Sequence, residues 1–200
     1  MAVLLPVGQY AGAFYTQPGA TAPDHHQVRL GSNVVPLSPA TYNAWALAHG
    51  DPQEFLSGQE ADRMSLSARA RAYGLNISQQ IVELQSLGLL VQVLPVGNQL
   101  QRFAEEYRVR ALSVGLGNTP DNLQVMAMGH PGQPRMTMPQ LVSTVWLYSD
   151  YFNSLWEICT ELAPNVQGPR GPAAPIDILK EFFGFLPALI AISCAYLDRS

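Results

Sequence analysis

Apolar and polar positions alternate in two short segments of the chain, one on each side of Gly31-Ser32-Asn33. Alternation around a glycine-containing turn predicts a β-hairpin. Ser38 and Pro39 follow with the residue types of a helix N-cap and a first helical position, and apolar residues then recur at helical spacing. Gly50 and Pro52 end this helix. The pattern therefore predicts a hairpin that leads directly into a helix.

Two further helices complete this first pattern. One is predicted over Gln59–Tyr73, because Gly74 stops it. The other begins near Asn76 and carries apolar residues at steps of three and four up to Gly88. The segment Leu89–Leu94 then continues as a strand. A hairpin, three helices and a closing strand are the elements of a winged helix in their usual order.

The same pattern returns in the second half of the chain. Met138 precedes Trp146 by eight residues, as Leu37 precedes Trp45. The predicted elements are strands over Leu123–Gly129 and Pro134–Met138, a helix with Trp146, a helix over Asn153–Leu162 and helical residues over Ile176–Leu197.

These patterns predict an α+β fold of tandem winged-helix-like repeats, mostly helical, each with a β-hairpin and three helices. The predicted organisation is an irregular N-terminal arm over 1–24, a first unit over 25–97, a linker over 98–122 and a second unit over 123–200. The alternative is a single α+β domain in which two strand–helix segments arose by chance.

The run from Val28 through Val35-Pro36-Leu37-Ser38-Pro39 to Gly50 resembles the start of a PqqD-like domain, in which a hairpin leads into a capped helix that ends at a Gly turn. The run from Met138 through Val145-Trp146-Leu147 to Ile158 is similar to it. The resemblance implies that the protein captures the leader segment of a precursor peptide and presents it to a modifying enzyme.

In that family the peptide adds as a strand to the hairpin edge and packs on the third helix. The resemblance implies peptide contacts at Val34, Val35, Leu37, Gln79, Gln80 and Glu83 in the first copy, and at Arg135, Met136 and Met138 in the second. The alternative for each residue is an ordinary edge-strand or solvated helix position.

Composition and charge narrow the classes of partner. Charged residues make up 13% of the chain, and 11 basic against 15 acidic residues give a net charge of −4. A surface so poor in charge is about equally typical of a buried interface and of an ordinary surface without a partner. From Leu75 through Gln101 there is no basic residue, so the third helix lacks the cations that contact DNA phosphates. Nucleic acid is therefore a disfavoured partner, and a DNA-binding regulator of winged-helix type is the second hypothesis.

No catalytic constellation, cofactor motif or metal site is predicted. Asp24-His25-His26 is the one cluster with metal-ligand residue types, and no further ligand lies at a zinc-site spacing. Cys159 and Cys194 lie in apolar surroundings, which are typical of inert thiols. The leading hypothesis is a non-catalytic peptide- or protein-binding adaptor, and an accessory subunit of an enzyme complex is the third.

The start of the chain has no basic segment before its apolar residues, and both cysteines suit a reducing compartment, so the expected location is the cytoplasm. The uncharged run Phe182–Leu197 contains Pro187 and is short for a membrane span. We expect it to be a buried helix at which the copies pack, or through which an oligomer or complex forms.

Overall fold

The computed structural model describes residues 2–56, 61–169 and 171–200, and its contacts divide the chain after Val93. The first unit extends to Val93 and includes Arg199. The second unit comprises Leu94–Asp198 and Ser200. Each unit is described below by itself.

The first unit combines two small antiparallel sheets with helices. Its strands are β1 (Val3–Pro6), β2 (Gln9–Phe14), β3 (His25–Leu30), β4 (Asn33–Leu37) and β5 (Leu90–Val93), and its helices are α1 (Pro39–Ala48), α2 (Pro52–Leu56), α3 (Arg63–Ala72) and α4 (Ser78–Ser86). Strands β2, β3 and β4 form one sheet in that order, and β1 pairs with β5 from Val3↔Val93 to Pro6↔Leu90.

Local chemistry explains why α1 begins and ends where it does. The Ser38 side chain accepts a hydrogen bond from the Thr41 amide, and Pro39 occupies the first helical position, where its missing N–H costs nothing. Gly50 follows the helix at φ 78°, a conformation that glycine adopts without strain. The buried face of α1 then places Trp45 in the core of this unit, where its Nε1–H donates to the Val7 carbonyl at 3.0 Å.

The second unit contains longer strands and a longer final helix. Its elements are α5 (Gly97–Glu106), β6 (Tyr107–Ala111), β7 (Val114–Thr119), β8 (Asn122–His130), β9 (Gln133–Pro139), α6 (Gln140–Tyr148), α7 (Leu155–Leu162), a 3-10 turn (Ala163–Asn165), β10 (Gln167–Gly168), β11 (Gly171–Pro172), α8 (Pro175–Ala191) and β12 (Ala195–Arg199). Strands β7, β8 and β9 form an antiparallel sheet in that order, and β6 pairs with β12.

The two units repeat one order of elements. Each has a strand, a three-stranded antiparallel sheet, helices, and a final strand that pairs with the first. The turn before the final strand has the same hydrogen bond in both units, from Leu89 N to Leu84 O and from Cys194 N to Leu189 O, each at 2.9 Å. Trp146 occupies the position of Trp45 and donates to the Cys194 carbonyl at 3.2 Å.

The prediction of mostly helical, winged-helix-like repeats built on a hairpin is wrong. The described residues are 41% helical and 32% strand, and the strands form small antiparallel sheets. The predicted hairpins are two strands of three-stranded sheets, because β2 and β7 add to them. Glycines in both added strands weaken the strand signal, although both strands pair with their neighbours around register shifts at Gly12, Gly115 and Gly117.

The structure also places secondary structure where an arm and a linker were predicted. The segment 1–24 contains β1 and β2, and the segment 98–122 is occupied by most of α5, by β6 and by β7. The helix predicted over Gln59–Tyr73 is observed from Arg63, and the predicted start at Gln59 lies outside the described residues.

The apolar run Phe182–Leu197 divides between two elements. The run belongs to helix α8 as far as Ala191, and Phe182, Leu186 and Leu189 are buried there. Its last residues, from Ala195, belong to β12. Within the described ranges, no helix combines the length and the hydropathy that crossing a membrane requires.

Candidate functional site

The outer edge of β4 presents backbone groups that β3 does not use. Leu30 and Asn33 flank the two-residue turn, so they form a hydrogen-bonded pair, and the pairs alternate along the ladder from there. The N–H and C=O of Val34 therefore point away from β3, and so does the C=O of Pro36, which has no N–H. Among the strands that the structure describes, none pairs with this edge.

The side chains of β4 divide between the two faces of the sheet. Val34 is 53% exposed, whereas Val35 packs against the core of the first unit and Leu37 is only 1% exposed. Successive residues of a strand point to opposite faces, so this division follows from the alternation. Of the three residues implied by the resemblance, Val34 offers both its backbone and its side chain at the surface.

A chain of two hydrogen bonds connects the end of β4 to α4. The Thr41 hydroxyl donates to Glu83 Oε2 at 2.9 Å. Because that proton is used, the 2.9 Å contact between Ser38 Oγ and Thr41 Oγ1 has Ser38 as its donor. Ser38 directly follows Leu37, the last residue of β4. These bonds hold Glu83 beside the end of the open strand.

The exposed face of α4 is polar, with one apolar side chain. Gln79 is exposed, and Val82 is 59% exposed. Gln80 lies one turn before Glu83 on the same face, and its Oε1 atom is buried with no hydrogen-bond donor among the described residues. Glu83 is the only charged residue of α4. The structure thus places Gln80 and Glu83 on one face of α4, with Glu83 beside the Leu37 end of β4, whereas Val34 lies near the other end of that strand.

The corresponding region of the second unit is apolar. Val142 follows Met138 by four residues, as Thr41 follows Leu37, and Ala188 precedes Cys194 by six residues, as Glu83 precedes Leu89. Val142 and Ala188 are both buried, so the Thr41–Glu83 contact has no polar equivalent there.

The three residues implied as peptide contacts in the second unit are bonded or packed within that unit. Arg135 donates from Nη1 to the carbonyl of Ile192 at 2.7 Å, at the C-terminal end of α8, and it lies at a register shift between β8 and β9. Met138 is buried in the core, and Met136 is half-buried. The structure does not gather these side chains into an accessible site.

The Asp24-His25-His26 motif is divided among separate partners. The Asp24 carboxylate accepts hydrogen bonds from the amide and hydroxyl of Thr16, which lower its pKa. His25 stacks on Phe14 with ring centroids 4.9 Å apart. His26 stacks on Tyr42 at 3.8 Å and contacts the Tyr10 hydroxyl through Nδ1 at 3.1 Å, and burial raises the pKa of Tyr42. The two histidines therefore take part in different aromatic contacts.

Both cysteines are buried free thiols. Burial raises the pKa of Cys159 to about 12 and also raises the pKa of Cys194. A thiol of this kind is a poor nucleophile at neutral pH, because the reactive species is the thiolate.

Sequence reasoning missed Thr41 as part of this region. Thr41 occupies the third position of α1 and completes the N-terminal cap, so the capping pattern was the available signal. Its contact with Glu83 spans 42 residues, and no local pattern predicts such a contact. Comparison of the chain with protein-family models, curated proteins and solved structures gave no match. The resemblance to PqqD-like domains therefore stays a prediction.

Proposed function

We propose that the protein is a non-catalytic adaptor whose first unit binds an extended peptide segment at the outer edge of β4. The observation that carries this proposal is the outward N–H and C=O of Val34 on a strand edge with no partner among the described elements. An extended peptide satisfies such groups by adding as a further strand, and exposed side chains beside the edge then supply specificity.

The surroundings of the edge favour the first unit as the binding unit. Val34 supplies exposed apolar surface on β4, and the hydrogen bond from Thr41 to Glu83 holds this residue of α4 beside the end of β4. In the second unit the corresponding positions are buried and apolar, and Arg135 is held by the end of α8. We assign the second unit a structural role in this adaptor.

The most specific form of the proposal is capture of a precursor peptide for a modifying enzyme, which rests on the resemblance to PqqD-like domains. We place this role in the cytoplasm, where the buried cysteines Cys159 and Cys194 stay reduced.

The test begins with selection of binders to the full chain from a displayed library of random linear peptides. Val34→Pro removes the outward N–H and leaves the β3–β4 ladder intact, because Val34 does not bond to β3 through that group. We expect Val34→Pro to weaken the binding of the selected peptides roughly tenfold, because about one hydrogen bond is lost and the strands approach less closely. Fluorescence anisotropy measures the affinity.

Val34→Thr is the matched control, because it keeps the N–H and the β-branched shape and should retain binding. Circular dichroism establishes that both variants fold. Selected peptides that bind Val34→Pro as tightly as the parent chain would contradict the proposal, as would a selection that yields no binder. Sequence-specific retardation of DNA by the chain at physiological salt would instead favour a DNA-binding regulator.

A further inference from the structure

We infer that the peptide bound at β4 carries an Arg or Lys side chain that pairs with Glu83, with an apolar residue beside Val34. This inference rests on the proposed function and adds the chemistry of the partner. It follows from the balance of hydrogen-bond donors and acceptors, from the charge of α4 and from the exposure of Val34.

Acceptors dominate among the groups that the structure holds in place at this region. The β4 edge offers one outward N–H, at Val34, against two outward carbonyls, at Val34 and Pro36. On α4, the Glu83 carboxylate receives one bond from Thr41. A carboxylate has about four acceptor sites, so Glu83 keeps capacity for a further donor. A donor-rich segment complements this set.

The charge of the region has the sign that attracts a cation. Glu83 is the only charged residue on α4, and no basic residue occurs from Leu75 through Gln101. In the described part of the chain, Glu83 forms no salt bridge. Among the groups that a peptide carries, guanidinium and ammonium groups donate the strongest hydrogen bonds to a carboxylate.

The positions of Val34 and Glu83 determine which end of the peptide is basic. The exposed Val34 side chain favours an apolar neighbour at the turn end of β4. Glu83 lies at the opposite end of β4, near Ser38. The cation therefore belongs at the Ser38 end of the bound segment.

The test uses two synthetic peptides that share one alternating Val/Thr sequence with capped ends and differ at one position. One peptide has Arg at the position opposite Ser38, and the other has citrulline, a neutral isostere. Fluorescence anisotropy against the full chain should give about tenfold tighter binding of the Arg peptide. Glu83→Gln should make the two affinities equal and leave the affinity for the citrulline peptide unchanged.

Glu105→Gln is the matched control, because Glu105 is an exposed carboxylate on α5 that bonds to Gln101. It should preserve the tenfold preference. Equal binding of both peptides to the parent chain, with roughly tenfold weaker binding of both to Val34→Pro, overturns the inference and leaves the proposed function standing. If neither peptide binds and the library selection yields no binder, both the inference and the proposed function are overturned.

Discussion

Ser193→Gly is expected to stabilise the second unit. Ser193 has φ 55° and is the non-glycine residue with positive φ in the described ranges. It follows α8 and donates from its amide to the Ile190 carbonyl at 3.0 Å. The first unit has Gly88 at this position, with φ 71° and the equivalent bond to Gln85 at 3.1 Å. The same C-terminal motif thus contains a suitable residue in one unit and a strained residue in the other.

The magnitude follows from two opposing effects. A left-handed conformation costs an L-residue about 1–2 kcal/mol, and glycine avoids that cost. Glycine loses more backbone entropy on folding, which removes about 0.5–1 kcal/mol of the gain. Ser193 is exposed, so its side chain gives up little packing. The midpoints of these ranges leave a net stabilisation of about 0.75 kcal/mol, equivalent to roughly 3–6 °C in the melting temperature of a unit of this size.

Urea denaturation followed by circular dichroism and tryptophan fluorescence measures this change. The reciprocal variant Gly88→Ser should destabilise the first unit by a similar amount, because its new Cβ enters the same conformation. That Cβ would lie 2.8 Å from Arg199 Nη2, so the end of the Arg199 side chain must also shift. A Ser193→Gly variant with an unchanged or lower urea midpoint, at an unchanged denaturant slope, would refute this reasoning.

Two further predictions concern buried titratable groups. Burial lowers the pKa of His49, so the unfolded chain binds a proton first as pH falls below the ordinary value of about 6.5. The contribution of His49 to stability is therefore complete above that pH and decreases below it. In His49→Gln, where Gln can still donate to the Trp45 carbonyl, the urea midpoint should fall less steeply with decreasing pH. An equally steep fall in both proteins would contradict the assignment of this pH dependence to His49. Cys194→Ala leaves Cys159, with its pKa of about 12, as the one thiol of the chain. This variant should react with a thiol reagent in urea and stay unreactive when native. Rapid labelling of the native variant would contradict the burial of Cys159.

Helices with clear start and stop residues could be predicted from the sequence. Ser38, Pro39 and Gly50 predict a helix that the structure has over Pro39–Ala48, and the apolar spacing after Asn76 predicts the helix observed over Ser78–Ser86. In both cases capping residues and periodicity are local properties of the chain, so a local pattern is sufficient to find them.

The third strand of each sheet could not be predicted in the same way. Gly115 and Gly117 lower the strand propensity of β7, and Gly12 has the same effect in β2. These segments become strands because a neighbouring strand supplies hydrogen bonds, and their glycines lie at register shifts. Pairing with a neighbour is a tertiary effect that residue preferences alone do not contain.

The candidate site was predictable only in part. Alternation along β4 places Val34 and Val35 on opposite faces, so an exposed Val34 could have been inferred from a correct register. The placement of Glu83 beside the end of β4 depends on the hydrogen bond from Thr41 and on the packing of α1 against α4. Neither has a local signature.

The pairing of β1 with β5 has a consequence for synthesis on the ribosome. Val3 pairs with Val93, so two strands that need each other are made 90 residues apart. The sheet of β2, β3 and β4 can form while β5 is still unmade, whereas the apolar residues Leu4 and Leu5 have no strand partner during that interval. Such an unpaired apolar strand is a hazard for aggregation in the nascent chain. Chaperone dependence should therefore be concentrated in the interval before residue 93 emerges.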